Sequence, residues 1–237
     1  AWLRQTVEAA RGSDALVVSG LAGFVGLSAG EALGIPAIGA GMFPLTPTRE
    51  FTYPFLPPDR LWHRLNRASF HLGNGFLWRS FRPPWNAARA EVCGLPPRQR
   101  MWTTHPVLYG YSPTLLPRPT DWPAQVHVCG QWTLPVPDWT PPAALAAFLD
   151  AGEPPVYIGF GSMGGFDTVR LRRALVDGLG GRRALFYPGW SRVDVSDLPA
   201  NLHVLGDTPH DWLFPRTACV VHHGGSGTTP PAPRAGG

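Results

Sequence analysis

Ala218-Cys-Val-Val-His-His-Gly-Gly-Ser-Gly-Thr-Thr229, close to the end of the chain, is the stretch from which the rest can be read. An apolar run of the kind that forms a buried strand ends in two histidines. A glycine-rich turn and two hydroxyl residues follow. An α/β sheet builds an anion pocket in this way. Glycines let backbone N–H groups approach a phosphate, and hydroxyls at the start of a helix add donors to its positive end. A glycine-rich turn after a strand is also ordinary turn chemistry, so the stretch alone leaves both readings open.

Upstream, Pro155-Val-Tyr-Ile-Gly-Phe160 has the composition of another strand and runs into a second glycine turn, Gly161-Ser-Met-Gly-Gly165. Residues 167–179 place Leu171, Leu175 and Leu179 on one stripe, which predicts an amphipathic helix. Ala184–Tyr187, Leu202–Leu205 and Cys219–His222 are further short strands, with a helical turn over Pro209–Phe214 between the last two. This β-α-β-α-β order predicts a parallel sheet with each glycine turn placed after a strand.

In a doubly wound sheet of order 3-2-1-4-5, strands 1 and 4 flank the switch point where ligands bind. If Val156–Phe160 is strand 1, Cys219–His222 is strand 4 and both glycine turns open into one crevice. Ser162 then faces His222, Gly225, Gly227 and Thr228 across a diphosphate. Gly159-x-Gly161-x-x-Gly164 also matches the dinucleotide fingerprint. However, Ala184–Tyr187 runs into Pro188 and Gly189 and lacks the acidic residue that would hold a ribose. A nicotinamide dehydrogenase is discounted for that reason.

The first half repeats the pattern more loosely. Asp14–Ser19 reads as a strand, residues 21–33 as a helix of small residues able to pack closely on a sheet, and Ile35–Ala40 as the next strand. Gly34 and Pro36 supply the helix stop. Met42–Asp59 is a long loop rich in Pro, Thr and aromatics, at the strand end where open α/β sheets carry their sites. Residues 60–92 are expected to be mainly helical, with Trp62, Leu65, Phe70, Phe76, Leu77, Trp78 and Phe81 forming a broad aromatic surface. Core packing is the default account of such a set, and a pocket for a flat apolar ligand is the functional one. Val107–Ser112 and Gln125–Gly130 complete the strands. Gln131–Pro142, dense in Pro and Trp, suits a semi-rigid connection. The expected division is therefore residues 1–130, a linker over 131–143, and residues 144–237.

Composition narrows the classes. The chain has 237 residues with 44% hydrophobic content and a formal net charge of +4. Its basic residues are all arginines, scattered along the sequence. A nucleic-acid binder would show a basic face interleaved with aromatics. A solvated surface is the expectation, with no nucleic-acid partner. Cys93, Cys129 and Cys219 are too few and too far apart for a disulfide framework or a zinc spacing, which points to a reducing cytoplasm. No apolar run approaches the roughly 20 residues of a membrane span. The opening residues lack a secretory core and an initiator Met, so the sequence is expected to begin inside a longer protein.

Taken together, these pieces resemble the nucleotide-sugar-dependent glycosyltransferases of the GT-B type, an α/β fold of two Rossmann-like domains. The resemblance is to the branch holding the sterol glucosyltransferases and the antibiotic-aglycone glycosyltransferases. It runs through LGIPAI with FPLTPTREF, WNAARAEVCGLPP, PVLYGYSPTLLPRP with VHVCGQW, PPVYIGFGSM, and HDWLFPRTACVVHHGGSGTT. It implies transfer of a sugar from a UDP- or TDP-sugar to a hydroxyl of a lipophilic acceptor, inverting the anomeric centre with no required metal or cofactor. Carried over by position, Gly161 and Ser162 with His222, Gly224, Gly225, Gly227 and Thr228 hold the diphosphate. Leu205, Asp207, Thr208 and His210 lie along the base and ribose.

Plant relatives stack an aromatic on the base here, and this chain has Asp207 instead. Phe51, Trp62, Phe70 and Trp78 are the acceptor candidates. Their surface suits a flat lipid such as a sterol and allows peripheral contact with a membrane, while macrolide or peptide aglycones remain open. The resemblance places the general base upstream of Ala1, so no residue is assigned that role. His63, His71, His105 and Asp14 are read as surface or structural. Both domains are expected to be incomplete, the first lacking its opening strands. After Thr229 the family continues with a helix, which Pro231 and Pro233 argue against. A fragment that at most binds nucleotide is the non-enzymatic alternative.

Overall fold

The computed structural model describes residues 1–56, 62–134, 136 and 138–236. Parts of the expected loop, of the helix start and of the linker, at residues 57–61, 135 and 137, lie outside the described residues. The chain forms two compact units, Ala1–Trp132 and Thr133–Gly237.

The first unit is a parallel sheet of β1 (Leu16–Ser19), β2 (Ala37–Gly41), β3 (Val107–Tyr109) and β4 (Val126–Val128), in that order. Helix α1 (Trp2–Ala9) precedes β1, and α2 (Gly23–Leu33) crosses from β1 to β2. The small residues of α2 do what their size allows. A Cβ on Gly26 would sit 2.0 Å from a Val18 methyl, so only glycine lets the helix lie this close on β1. Gly34 stops the helix in the left-handed region at φ 68°, its N–H bonded to the Gly30 carbonyl. Helix α3 (Asn66–Cys93) follows a short 3₁₀ turn at His63–Leu65.

Arg89, read with the other arginines as part of a solvated surface, is completely buried. Its guanidinium pairs with both oxygens of Glu31 at 3.0 and 3.1 Å and donates to Ser28 Oγ and the Pro96 carbonyl. It ties α3 to α2, which no scan of charge along the chain could reveal.

The second unit is a parallel sheet in the order β7-β6-β5-β8, made of β5 (Val156–Gly159), β6 (Ala184–Tyr187), β7 (Leu202–Val204) and β8 (Cys219–His222). In strand order this is 3-2-1-4, the arrangement that puts the switch point between β5 and β8. Side chains alternate between two apolar layers. Tyr157 and Leu185 join Leu145 of α4 (Ala143–Asp150) and Leu213 of α6 (His210–Leu213) on one face. Ile158, Ala184 and Phe186 join Leu175 and Leu179 of α5 (Thr168–Leu179) on the other. Asp167 caps α5, its carboxylate accepting the Arg170 N–H at 3.0 Å.

The chain does not stop being helical after Thr229. Thr228 and Thr229 donate to the Gly225 carbonyl, and a one-turn helix, α7 (Pro231–Arg234), follows. The prolines are tolerated because all of α7 is first turn, where backbone N–H groups have no intrahelical partner to lose.

Candidate functional site

The sequence requirement for a shared crevice was that the two glycine turns follow adjacent strands. They do: β5 and β8 are parallel neighbours, with Gly159 level with His222. Gly161 at φ 55° and Gly224 at φ 84° turn the chain sharply just beyond each strand. The imidazole of His223 lies between the turns. A Cβ on Gly161 would come 3.0 Å from its Cε1, and one on Gly225 would come 2.5 Å from its Nε2. A third strand end joins them, because the Trp190 N–H donates to the Gly161 carbonyl at 2.9 Å. Among the diphosphate candidates, Ser162, Gly224 and Gly227 are exposed, Gly161, Gly225 and His222 are half-buried, and Thr228 is buried.

Two histidines have their tautomers set by backbone partners whose roles cannot change. The Gly224 N–H can only donate, so His222 Nδ1 accepts from it at 3.1 Å and a neutral ring carries its proton on Nε2. The Gly227 carbonyl can only accept, so His210 Nδ1 donates to it at 3.2 Å. His210 stacks on Phe214 with centroids 4.5 Å apart. Burial, opposed by the Gly227 bond and by Asp211, holds its pKa below the usual histidine value.

Beside the crevice lies a cleft of about 490 Å³ lined by Trp139, Tyr157, Tyr187, Leu213 and the run Leu205–His210. All four residues carried over to the base and ribose, Leu205, Asp207, Thr208 and His210, are on this lining. His210 links the two regions, since it lines the cleft and bonds to the glycine turn. Across the lining, the Tyr187 hydroxyl donates to Asp207 Oδ1 at 2.8 Å. That bond is the main cause raising the Tyr187 hydroxyl above its ordinary pKa. Burial pushes Tyr157 up to about 12, so both rings stay neutral donors across the physiological range.

Trp139, Tyr157 and Tyr187 were not singled out from the sequence. The two tyrosines sit on strands whose inward and outward faces periodicity alone does not label. Trp139 stands in the Pro- and Trp-rich stretch read as a spacer, yet it packs on Trp212 with centroids 4.8 Å apart.

In the first unit the acceptor candidates do not share one cavity. Phe70 is completely buried, edge-on to Phe51 at 5.9 Å and to Tyr53 at 5.5 Å. Trp78 is buried against Phe24 and Trp102, its indole N–H bonded to the Gln99 carbonyl. Trp62 stands free in solvent. A cleft of about 280 Å³ in this unit lies elsewhere, along β1 between Trp2, Thr6, Val25 and Gly26. His105 packs over Gly39 with its pKa lowered by burial, as suits a structural histidine. Among the described residues, no group of three or more His, Cys, Asp or Glu is placed to hold a metal ion.

No protein-family model matches the chain. Among curated proteins, the sterol 3-beta-glucosyltransferase of Debaryomyces hansenii is 35% identical over 263 residues, covering 99% of this chain and 17% of its own length. That of Candida albicans is 37% identical over 251 residues, covering 97% and 16%. The chain thus spans about one sixth of the curated relatives it matches. Among solved structures, the glycosyltransferase SnogD from Streptomyces nogalater superposes with a TM-score of 0.57 at 23% identity, covering 99% of this chain and 55% of that one. CalG4, the calicheamicin glycosyltransferase, gives 0.61 at 15%, covering 99% and 56%. UGT89C1 of Arabidopsis thaliana, solved with UDP, gives 0.59 at 16%, covering 94% and 51%. At these identities the structural likeness establishes the fold.

Proposed function

We propose that this chain, which has the GT-B fold and is similar over nearly its whole length to one part of the sterol 3-beta-glucosyltransferases, serves the transfer of a sugar from a UDP- or TDP-sugar to a hydroxyl of a lipophilic acceptor. The observation that carries this reading is the junction of two glycine turns, beyond β5 and β8, beside a cleft lined by Leu205–His210. A diphosphate suits the turns, and a base and ribose suit the cleft.

The division of labour follows from the chemistry. As the sugar leaves, charge builds on the diphosphate while the anomeric carbon becomes oxocarbenium-like. Prearranged donors stabilise that charge where it develops. The Nε2–H of His222, set by the Gly224 N–H behind it, is one such donor. The hydroxyls of Ser162 and Thr228 and the turn backbone are others. This donor set can meet the charge with no required metal. Loss of a single well-placed donor typically raises the barrier by about 3 to 4 kcal/mol. The acceptor hydroxyl loses its proton to a base that we assign to no residue of this chain. The names of the relatives favour a sterol over a macrolide or peptide aglycone as acceptor, and the three free cysteines suit work in the cytoplasm.

Calorimetric titration with UDP tests the donor half. We expect binding by residues 1–237, weakened tenfold or more in His222→Ala. Absence of UDP binding by the unsubstituted chain overturns the reading. For the acceptor, UDP-glucose with a 3β-hydroxysterol is the test reaction. Transfer only to a macrolide or peptide aglycone replaces the sterol, and nucleotide binding without transfer leaves a sugar-nucleotide-binding segment.

A further inference from the structure

Trp190, in the loop after β6, is 71% exposed, and Met163, in the glycine turn after β5, is 42% exposed. Their backbones are neighbours. The Trp190 N–H donates to the Gly161 carbonyl at 2.9 Å, and a Cβ on Gly164 would lie 3.6 Å from the Trp190 carbonyl oxygen. An indole and a thioether thus stand open to solvent along the turn that the sugar-transfer reading gives to the diphosphate.

The loop is built to hold this arrangement. Ser191 and Val193 are buried, and Val193 joins the apolar layer of Ile158 and Phe186. Trp190 and Arg192 alternate with them and are exposed. Gly189 has φ 49°, and a Cβ there would come 2.1 Å from the Gly161 carbonyl oxygen, so only glycine lets the two segments meet. Arg192 is held at φ 58°, a conformation that residues with a Cβ seldom adopt. At the far end of the loop, Arg172 of α5 donates to the Ser196 and Asp197 carbonyls at 3.0 and 3.2 Å. Folding therefore fixes the backbone around Trp190 and leaves its ring in water. An apolar ring held rigid and unburied beside a site is a contact waiting for a ligand.

The nucleotide does not account for it. The cleft beside Leu205–His210 is lined by Tyr157 and Leu213 of the α4 and α6 layer, whereas the Trp190 loop is anchored through Val193 in the α5 layer, on the other face of the sheet. The acceptor does account for it, if the sugar-transfer reading on which this inference rests is right. Its hydroxyl oxygen must come within about 3 to 3.5 Å of the anomeric carbon, which is bonded to a diphosphate oxygen. With the diphosphate at Gly161 and Ser162, the body of the acceptor stands about one sugar ring from this turn. A lipophilic body needs apolar contact there, and the buried Phe70 and Trp78 of the first unit offer none.

We propose that Trp190, with Met163 beside it, is an acceptor-binding surface. The indole lays its face on the flat apolar ring system of the acceptor, next to the hydroxyl that receives the sugar. The thioether adapts to the shape of what lies beside it. The second unit then takes part in choosing the acceptor as well as in holding the donor.

The test titrates the full chain, saturated with UDP, into dehydroergosterol, a fluorescent 3β-hydroxysterol delivered from cyclodextrin, and follows its anisotropy. Calorimetry gives the UDP affinity of the same proteins. Trp190→Ala should weaken sterol binding about tenfold or more, as loss of a central aromatic anchor does. Met163→Ala should weaken it roughly threefold. Both should keep UDP affinity within about twofold, because neither side chain touches the nucleotide, and Trp190→Phe, which retains a flat ring, should recover most of the sterol affinity. Melting curves by circular dichroism separate lost binding from lost folding; should Trp190→Ala not fold, Trp190→Gln takes its place with the same expectation. Absence of UDP binding by the unsubstituted chain overturns the sugar-transfer reading and this inference with it. UDP binding without sterol binding overturns the inference alone, as does a folded Trp190 variant with unchanged sterol affinity. Equal weakening of UDP and sterol also overturns it, in favour of a loop that only props the glycine turn.

Discussion

The Tyr187 hydroxyl donates to the Asp207 carboxylate at 2.8 Å, joining the end of β6 to the loop after β7 along the lining of the cleft. The bond uses one carboxylate oxygen and holds the side chain in place. Tyr187→Phe removes that restraint with little change in shape. We expect it to weaken UDP binding about fivefold, the value of one net hydrogen bond of ~1 kcal/mol, and to leave inorganic pyrophosphate binding unchanged. Calorimetry with the two ligands separates the cleft from the glycine turns, and equal weakening of both contradicts this division.

Gly161 is constrained twice, by its positive φ of 55° and by the His223 ring 3.0 Å from where a Cβ would be. Gly161→Ala should destabilise the second unit by about 1 to 3 kcal/mol through the backbone conformation alone. It should also weaken UDP binding by shifting the turn. In the double variant with His223→Ala the steric part is relieved and the backbone part persists. Denaturant unfolding of the single and double variants measures the coupling; strict additivity means that the two residues do not bear on each other.

Burial lowers the pKa of His210 below its ordinary 6.5, and burial lowers His203 of the same unit as well. The unfolded chain therefore binds protons that the folded unit refuses as pH falls below 6.5. Stability is fully present above that pH and declines below it, toward the lowered folded values. Urea unfolding at pH 7.5 and 5.5 should show this loss, and His210→Gln should show a smaller one. An unchanged pH dependence in the variant counts against a buried, neutral His210.

Arg89 offers a control remote in sequence from the glycine turns. Its fully buried guanidinium pairs with Glu31 and bonds to Ser28 and the Pro96 carbonyl. Glu31 in turn is held below the usual carboxylate range by Arg89 and Arg98, against the opposing effect of its burial. Arg89→Ala should cost about 1.5 to 3 kcal/mol, the value of hydrogen bonds to a charged group, because Glu31 is partly exposed and keeps Arg98 as a partner. UDP binding by the protein that remains folded should be unaffected.

Much of the second unit was legible because its signals are local and agree. Short apolar runs bounded by glycine turns and the stripe of Leu171, Leu175 and Leu179 each point to one alternation of strand and helix. Chain order then fixes β5 beside β8 through the general rule for doubly wound sheets. The first unit was harder to read. Its aromatics are dense along α3, and composition does not say that Phe70 and Trp78 turn inward while Trp62, Leu72 and Phe76 face solvent.

By itself the sequence determined the parallel α/β architecture and the placing of both glycine turns after strands. Those features depend on neighbours within a few residues and on period, which a linear chain displays. The tertiary structure alone decided which rings line the cleft, that His223 sits between the two turns, and that Arg89 is a buried tie between helices. Each of these depends on contacts between residues distant in sequence. The stretch Ala218–Thr229 spans both cases: its strand and turn are written in its own residues, and its role beside Gly161 exists only once β5 and β8 are paired.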